Sequence, residues 1–262
     1  MHSFSHDHPS FLFHRMDDFI SDYTSTSMRT SSNTNIRERS LLKIENNILK
    51  HYLKNVYFIT GTAYAGKSTT VKMLAERYNM IFCGENYHSA VSDLVATPDA
   101  QPDICYLKQL TDWKDFVTRT PEEYERWIYS TGREAAEFEV AHLLSLPEDR
   151  KVIVDTNIPI DLLKEISDYE HVAVMLAPHS MSVERFFDRE DPEKQFLLRV
   201  INSCENPKAV MENYRRGLAL INSQDHYDEY AKSGFFTVVR EDSEADTREA
   251  VCDTIAKHFG LL

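Results

Sequence analysis

A short apolar, β-prone run, Val56-Tyr57-Phe58-Ile59-Thr60, leads directly into Gly61-Thr62-Ala63-Tyr64-Ala65-Gly66-Lys67-Ser68. After it, Val71, Leu74, Ala75 and Tyr78 recur at i, i+3, i+4 and i+7, the spacing of one helix face. The middle segment fits G-x-x-x-x-G-K-[ST] without a mismatch. That pattern needs a strand before it and a helix after it, because its glycines curl the backbone until several N–H groups point at one anion. The chain has only seven glycines in 262 residues, and two of them sit in this loop. A chance match in a glycine-rich stretch is thereby excluded. Lys67 is placed to reach the β- and γ-phosphates of a nucleotide, and the Ser68 hydroxyl to ligate Mg²⁺. The helix N-terminus adds partial positive charge beneath the phosphates.

Four further apolar runs read as strands: Met80-Ile81-Phe82-Cys83, Lys151-Val152-Ile153-Val154, Val172-Ala173-Val174-Met175-Leu176 and Phe235-Phe236-Thr237-Val238-Val239. They are short and nearly continuous in apolarity, as strands covered on both faces must be. Helical segments separate them. Thr120-Pro121-Glu122-Glu123 combines a capping Thr, a Pro at the first helical position and a Glu at the third, opening a helical region towards Leu146. Asp191-Pro192 and Asn206-Pro207 open two more, the second with Val210, Tyr214, Gly217, Leu218 and Ile221 on one face. A last helix is expected near Asp246, with Glu249 in a capping box and Val251, Ile255 and Phe259 facing inward. Residues 36 to about 53 are expected to form a helix before the first strand, with Leu41, Leu42, Ile44, Ile48 and Leu49 as its apolar positions. Strands alternating with helices make an α/β fold with a parallel sheet covered on both sides. Residues 1–35, rich in Ser, Thr, Asn and His, read as a mobile extension. Residues 36–262 read as one nucleotide-binding domain, with 84–150 as a helical insertion on the substrate side.

The net charge of −13 argues against broad binding to nucleic acid or to an anionic membrane, both of which need basic surface. Cys83, Cys105, Cys204 and Cys252 form no C-x-x-C pair, so neither a zinc site nor a disulfide framework is expected; free thiols suit the cytoplasm. His2, His6 and His8 lack a carboxylate or thiol cluster to complete a metal site. No apolar run reaches the roughly 18 residues of a membrane span, and no signal-peptide pattern opens the chain.

In an open parallel sheet, ligands bind outside the carboxyl ends of the strands, so the residues just after each strand carry the chemistry. After the third strand comes Asp155-Thr156-Asn157-Ile158-Pro159. Asp155 either holds a Mg²⁺-bound water beside the loop or caps the strand end. After the second comes Gly84-Glu85-Asn86-Tyr87-His88. Glu85 is placed to accept a proton from an acceptor hydroxyl or to orient the acceptor; His88 either binds the acceptor or is structural. After the fourth comes a segment with Arg185 and Arg189 four residues apart, fit either for a lid closing over phosphates or for a salt-bridged surface helix, and Arg199 lies beyond. Arg240, after the fifth strand, either stacks on a nucleotide base or is exposed. Tyr87, Tyr106, Trp113, Tyr124 and Trp127 mark either an aromatic substrate region or core.

On these residues the chain resembles the P-loop small-molecule kinases, the group of shikimate, gluconate and nucleoside monophosphate kinases. Gly61–Ser68 matches their phosphate loop. Gly84-Glu85-Asn86-Tyr87-His88 is similar to the Gly-Asp-x-x-His stretch of gluconate kinases, and Asp155-Thr156-Asn157-Ile158-Pro159 to the Asp-Gly-x-Pro-Arg stretch of nucleoside monophosphate kinases. Ile160 stands where the latter has its arginine, and the triple-glycine loop of shikimate kinases is missing. The resemblance spans roughly residues 55–260. It implies a three-layer α/β/α P-loop NTPase fold with a five-stranded parallel sheet of order 2-3-1-4-5, ATP and Mg²⁺ as cofactors, and a small hydroxylated acceptor met by Glu85, His88 and Asn157. It implies a monomer or homodimer partnered by the nucleotide and the acceptor. Two alternatives stay open: a nucleotide-driven switch signalling through residues 84–150, and a kinase acting on an RNA end or other large acceptor.

Overall fold

The computed structural model describes residues 44–178, 186–187, 191–240 and 246–262. Five parallel strands make one sheet: β1 (Val56–Gly61), β2 (Ile81–Cys83), β3 (Val152–Asp155), β4 (Val172–Leu176) and β5 (Phe236–Val239), in the order β2-β3-β1-β4-β5. This is the expected order. The register pairs Val56 with Val152 and Ile59 with Asp155 on one side of β1, and Phe58 with Val172 and Gly61 with Met175 on the other. The three central strands are buried at every position, which is why their sequences are apolar runs rather than alternations. The edge strand β2 leaves Phe82 49% exposed.

Period-2 alternation splits these strands between two cores. Tyr57, Ile59, Ile153, Ala173 and Met175 face the helix Lys67–Tyr78 through Val71, Leu74 and Ala75, and the helix Arg248–His258 through Cys252, Ile255 and Ala256. Phe58, Val152, Val154, Val172 and Val174 face the helix Ile160–Ile166 and the C-terminal half of the long helix Pro121–Leu144. The result is an α/β/α sandwich. A third apolar cluster lies off the sheet. It joins Phe116, Val117, Tyr124 and Trp127 to Leu197, Ile201, Tyr214 and Leu218. The helices Pro102–Gln109 and Trp113–Val117 and the start of the long helix therefore share one core with Pro192–Asn202 and Pro207–Ile221, and the long helix runs from that core to the sheet.

The helix starts follow their signals. Thr120 and Glu123 form the reciprocal capping box, with Glu123 N–H donating to Thr120 Oγ1 at 3.2 Å and Thr120 N–H to Glu123 Oε2 at 2.9 Å. Asp191 accepts from the backbone of Glu193 and Lys194, and Asn206 from that of Ala209. Two expectations fail. Glu249 makes no capping box; it is drawn sideways into a pair with Arg77, which also binds Asp253, and Asp246 accepts from the Arg248 backbone instead. The helix before β1 is Asn46–Tyr52, with no buried residue; Ile44 and Ile48 are exposed and only Leu49 packs on the core. Leu41, Leu42 and the 1–35 segment lie outside the described residues. No described helix is long and apolar enough to cross a membrane.

Candidate functional site

Because all five strands are parallel, their carboxyl ends gather on one side of the sheet, and Gly61, Asp155, Gly84, Ala177 and Arg240 meet there. Gly61 sits at φ +129°, and a Cβ on it would lie 1.9 Å from the Met175 carbonyl oxygen. The loop hugs β4 that closely because Thr62 N–H donates to the same carbonyl at 3.0 Å, while the Ala177 N–H donates to Thr62 Oγ1 at 2.8 Å. Tyr64 at φ +67° and Gly66 at φ +92° complete the curl. Gly66 is the N-cap of the helix Lys67–Tyr78 and brings no side-chain cap, so that helix opens with its first-turn N–H groups facing the loop.

Inside the curl, Lys67 Nζ donates to the carbonyls of Gly61 and Thr62 at 3.2 and 3.1 Å. Ser68 Oγ donates to Asp155 Oδ2 at 2.5 Å. Asp155, 1% exposed, keeps its other oxygen, Oδ1, buried with no hydrogen-bond partner. Burial pushes the Asp155 carboxyl up from the usual range and Glu85 adds to this, while Lys67 and the Ser68 hydroxyl pull it back. A buried carboxylate oxygen without a donor is costly, and any donor, a metal-bound water among them, would satisfy it. Among the described residues no group of three His, Cys, Asp or Glu gathers to hold a metal, so a divalent ion here would rest on Ser68, on phosphate oxygens and, through water, on Asp155. That donor set of hydroxyl, carboxylate and phosphate suits Mg²⁺ rather than a softer ion.

A cavity of about 1060 Å³ opens from the loop. Thr62, Ala63, Tyr64, Lys67, Ser68 and Thr69 line its inner end, and Glu85, His88 and Asn157 the adjoining wall. Of the residues expected around the ligand, these come together. Ala65 packs into the core beneath the loop. Arg240 does not line the cavity; its Nη1 donates to the Tyr64 carbonyl at 2.7 Å, and its backbone N–H to Leu176 O at 2.7 Å. The guanidinium thus braces the loop at a residue in the left-handed conformation, Tyr64 at φ +67°. Arg185 and Arg189 lie outside the described residues. Between them, Phe186 and Phe187 pack edge-to-face on each other and against Tyr214. Trp127 is core as well as cavity wall: its Nε1 donates to Asp103 O at 3.0 Å.

The cavity residues missed from the sequence include a buried acid. Glu139, on the long helix, is 2% exposed and accepts from Thr156 Oγ1 at 2.5 Å. Its other oxygen lies 4.0 Å from His88 Nδ1. Burial pushes its carboxyl up to about 7, with Asp155 and Glu85 adding to the rise and Thr156 and Tyr87 opposing it. The same burial lowers His88 and lifts the Tyr87 phenol. The only signal in the sequence was a carboxylate between Phe138 and Val140, four residues past Ala135 on an inward face. No protein-family model matches the chain, and no curated protein or solved structure matches it significantly.

Proposed function

We propose that the chain is an ATP-dependent phosphotransferase of P-loop type that moves the γ-phosphoryl group of Mg·ATP to a hydroxyl of a small molecule. The observation that carries this reading is the Ser68 Oγ to Asp155 Oδ2 contact at 2.5 Å beside Lys67, with Asp155 Oδ1 left without a partner. Mg²⁺, when bound, neutralises charge on the phosphates and fixes their geometry.

The chain's own residues supply the rest. The backbone from Gly61 to Thr69 wraps the phosphates, and Lys67 leaves its two carbonyls to meet the transferred group. Glu85 receives the proton of the acceptor hydroxyl as its oxygen forms the new P–O bond and the bond to the ADP oxygen breaks. His88 and Asn157 hold the acceptor in line. Little covalent work falls to the protein, so positioning and electrostatics carry the rate. The cavity beyond the loop, with its convergent Glu85, His88 and Glu139, supports transfer to a bound acceptor over a switch that only holds nucleotide.

The test is ADP release from Mg·ATP across an acceptor panel, read against a blank without acceptor, in the wild type and in Lys67→Ala. Stimulation by one acceptor class, abolished in the variant, supports the reading. Near-wild-type turnover in Lys67→Ala overturns it.

A further inference from the structure

Glu139 stands in the cavity wall, and its two oxygens face different partners. Oε2 accepts from the Thr156 hydroxyl at 2.5 Å, while Thr156 Oγ1 accepts from the Ile158 N–H at 3.0 Å. A hydroxyl has a single proton, and with its oxygen already turned to the backbone donor, that proton goes to Glu139. Residue 139 must therefore present an acceptor to Thr156. Oε1 faces His88, 4.0 Å from Nδ1.

His88 is placed to complement it. It precedes the helix Ser89–Val95, where its carbonyl accepts from the N–H groups of Val91 and Ser92, so that helix holds its backbone. The ring lines the cavity, and of its two nitrogens Nδ1 is the one sealed in without a hydrogen-bond partner. A buried ring nitrogen left unsatisfied is costly. Asp93 and Lys108 also bear on the ring, but in opposite senses, and they pair with each other at 2.8 Å. The gap to Glu139 is about an ångström longer than a hydrogen bond. Catalytic contacts are often this long in an empty site and tighten once a ligand fills it.

A neutral imidazole carries one proton, and the group facing one nitrogen decides what the other offers. An ionised Glu139 can only accept, so the proton sits on Nδ1 and Nε2 is left bare. Resting on the phosphotransferase reading, we infer that Glu139 is a positioning residue: it takes the Nδ1–H of His88 and makes Nε2 a hydrogen-bond acceptor for the molecule that receives the phosphoryl group. Glu85 meets the reacting hydroxyl, and His88 reads a second O–H or N–H beside it.

Glu139→Gln inverts this arrangement while keeping its shape. The Gln oxygen must stay on Thr156, so its NH₂ faces His88, donates to Nδ1 and puts the ring proton on Nε2. The full-length protein with nitrogen-15-labelled histidines is compared in the two forms at about pH 8 by proton–nitrogen correlation of the rings. At that pH the ring is neutral and the carboxyl ionised, since burial lowers His88 and Glu139 titrates at about 7. The chain has 11 histidines, and His88→Gln identifies the signal by its loss. Nδ1–H with a bare Nε2 in the wild type, and the reverse in Glu139→Gln, supports the assignment. Nε2–H in the wild type, or one tautomer in both proteins, overturns it. Should Glu139→Gln fail to fold, the wild-type tautomer alone decides. In turnover, Glu139→Gln is expected to raise the KM of the acceptor molecule about tenfold or more, because two donors then face each other, while the KM for ATP stays unchanged. Equal effects on both overturn the assignment. The expected tautomers without any acceptor-stimulated ADP release would leave the Glu139–His88 pair standing and defeat the transfer reading. Stimulated ADP release with one tautomer in both proteins would do the reverse.

Discussion

The Thr156 hydroxyl donates to Glu139 Oε2 at 2.5 Å, tying the middle of the long helix to the residue that follows β3. Because Thr156 Oγ1 also accepts from the Ile158 N–H at 3.0 Å, its one proton is committed to Glu139. A carboxyl group buried beside Asp155, Glu85 and Tyr87 thus lines the cavity that opens from the Gly61–Ser68 loop.

That burial has a sign in the pH dependence of stability. The Glu139 carboxyl titrates near 7 in the fold and near 4.5 in the unfolded chain. Between those values the folded state holds the proton and the unfolded state does not, so its share of stability is present at low pH and is lost as pH rises towards 7. Two and a half units correspond to on the order of 3 kcal/mol. Glu139→Gln keeps an acceptor for Thr156 and removes the titration. Chemical denaturation is expected to give equal stabilities for the two proteins at pH 4 and below, and a more stable variant at pH 8 by roughly that amount. Parallel curves across the range would show that Glu139 is not buried as a charge.

Gly61 and Gly66 both sit at positive φ but should not respond alike. Gly61→Ala puts a Cβ 1.9 Å from the Met175 carbonyl, on a fully buried central strand that cannot yield. A loss of at least about 3 kcal/mol is expected by urea denaturation. At Gly66 the nearest atom to a new Cβ is Met175 Cε at 3.9 Å, so only the backbone strain of about 1–2 kcal/mol remains. Similar losses at both positions would contradict the described contact between loop and β4.

Asp155→Asn separates stability from function. Burial disfavours the charged carboxylate, and the Asn side-chain oxygen still accepts from Ser68. The melting temperature is expected to stay within a few degrees of the wild type or to rise, while, on the phosphotransferase reading, the Mg²⁺ dependence of nucleotide binding weakens by about 10²-fold, the order of loss for one preorganised electrostatic contact. Unchanged Mg²⁺ dependence, measured by titration of a fluorescent nucleotide, would remove Asp155 from the metal's water shell.

Arg240 offers a test of bracing against base stacking. Its guanidinium holds the carbonyl of Tyr64, a residue at φ +67°. Arg240→Ala should weaken ATP and GTP alike, by about tenfold, the loss of one charge-assisted hydrogen bond. A loss confined to one base would show stacking instead.

Much of the fold could be read from local patterns. The apolar runs of β1, β3 and β4 and the Thr120/Glu123, Asp191 and Asn206 caps depend on neighbours within a few residues, so they survive in the sequence. The Gly61–Ser68 loop was legible for the same reason: its glycines, lysine and serine fall within eight residues. The Glu249 capping box failed because Arg77, 172 residues away, offered a better partner, and no local rule registers such a contact.

The chain by itself determined that a strand, a tight anion-sized curl and a helix follow one another at residue 56, and that parallel strands would place Asp155 and Glu85 on the curl's side of the sheet. Only the tertiary structure decided what stands opposite. Glu139 reads in sequence as one acid among many on a long helix; packing of that helix against β3 strips its water and leaves it Thr156 and His88. Trp127 and Leu218 are 91 residues apart, and folding alone closes them over one cavity. Burial and long-range juxtaposition set the charge and shape of that cavity, and neither quantity is a property of any short stretch of chain.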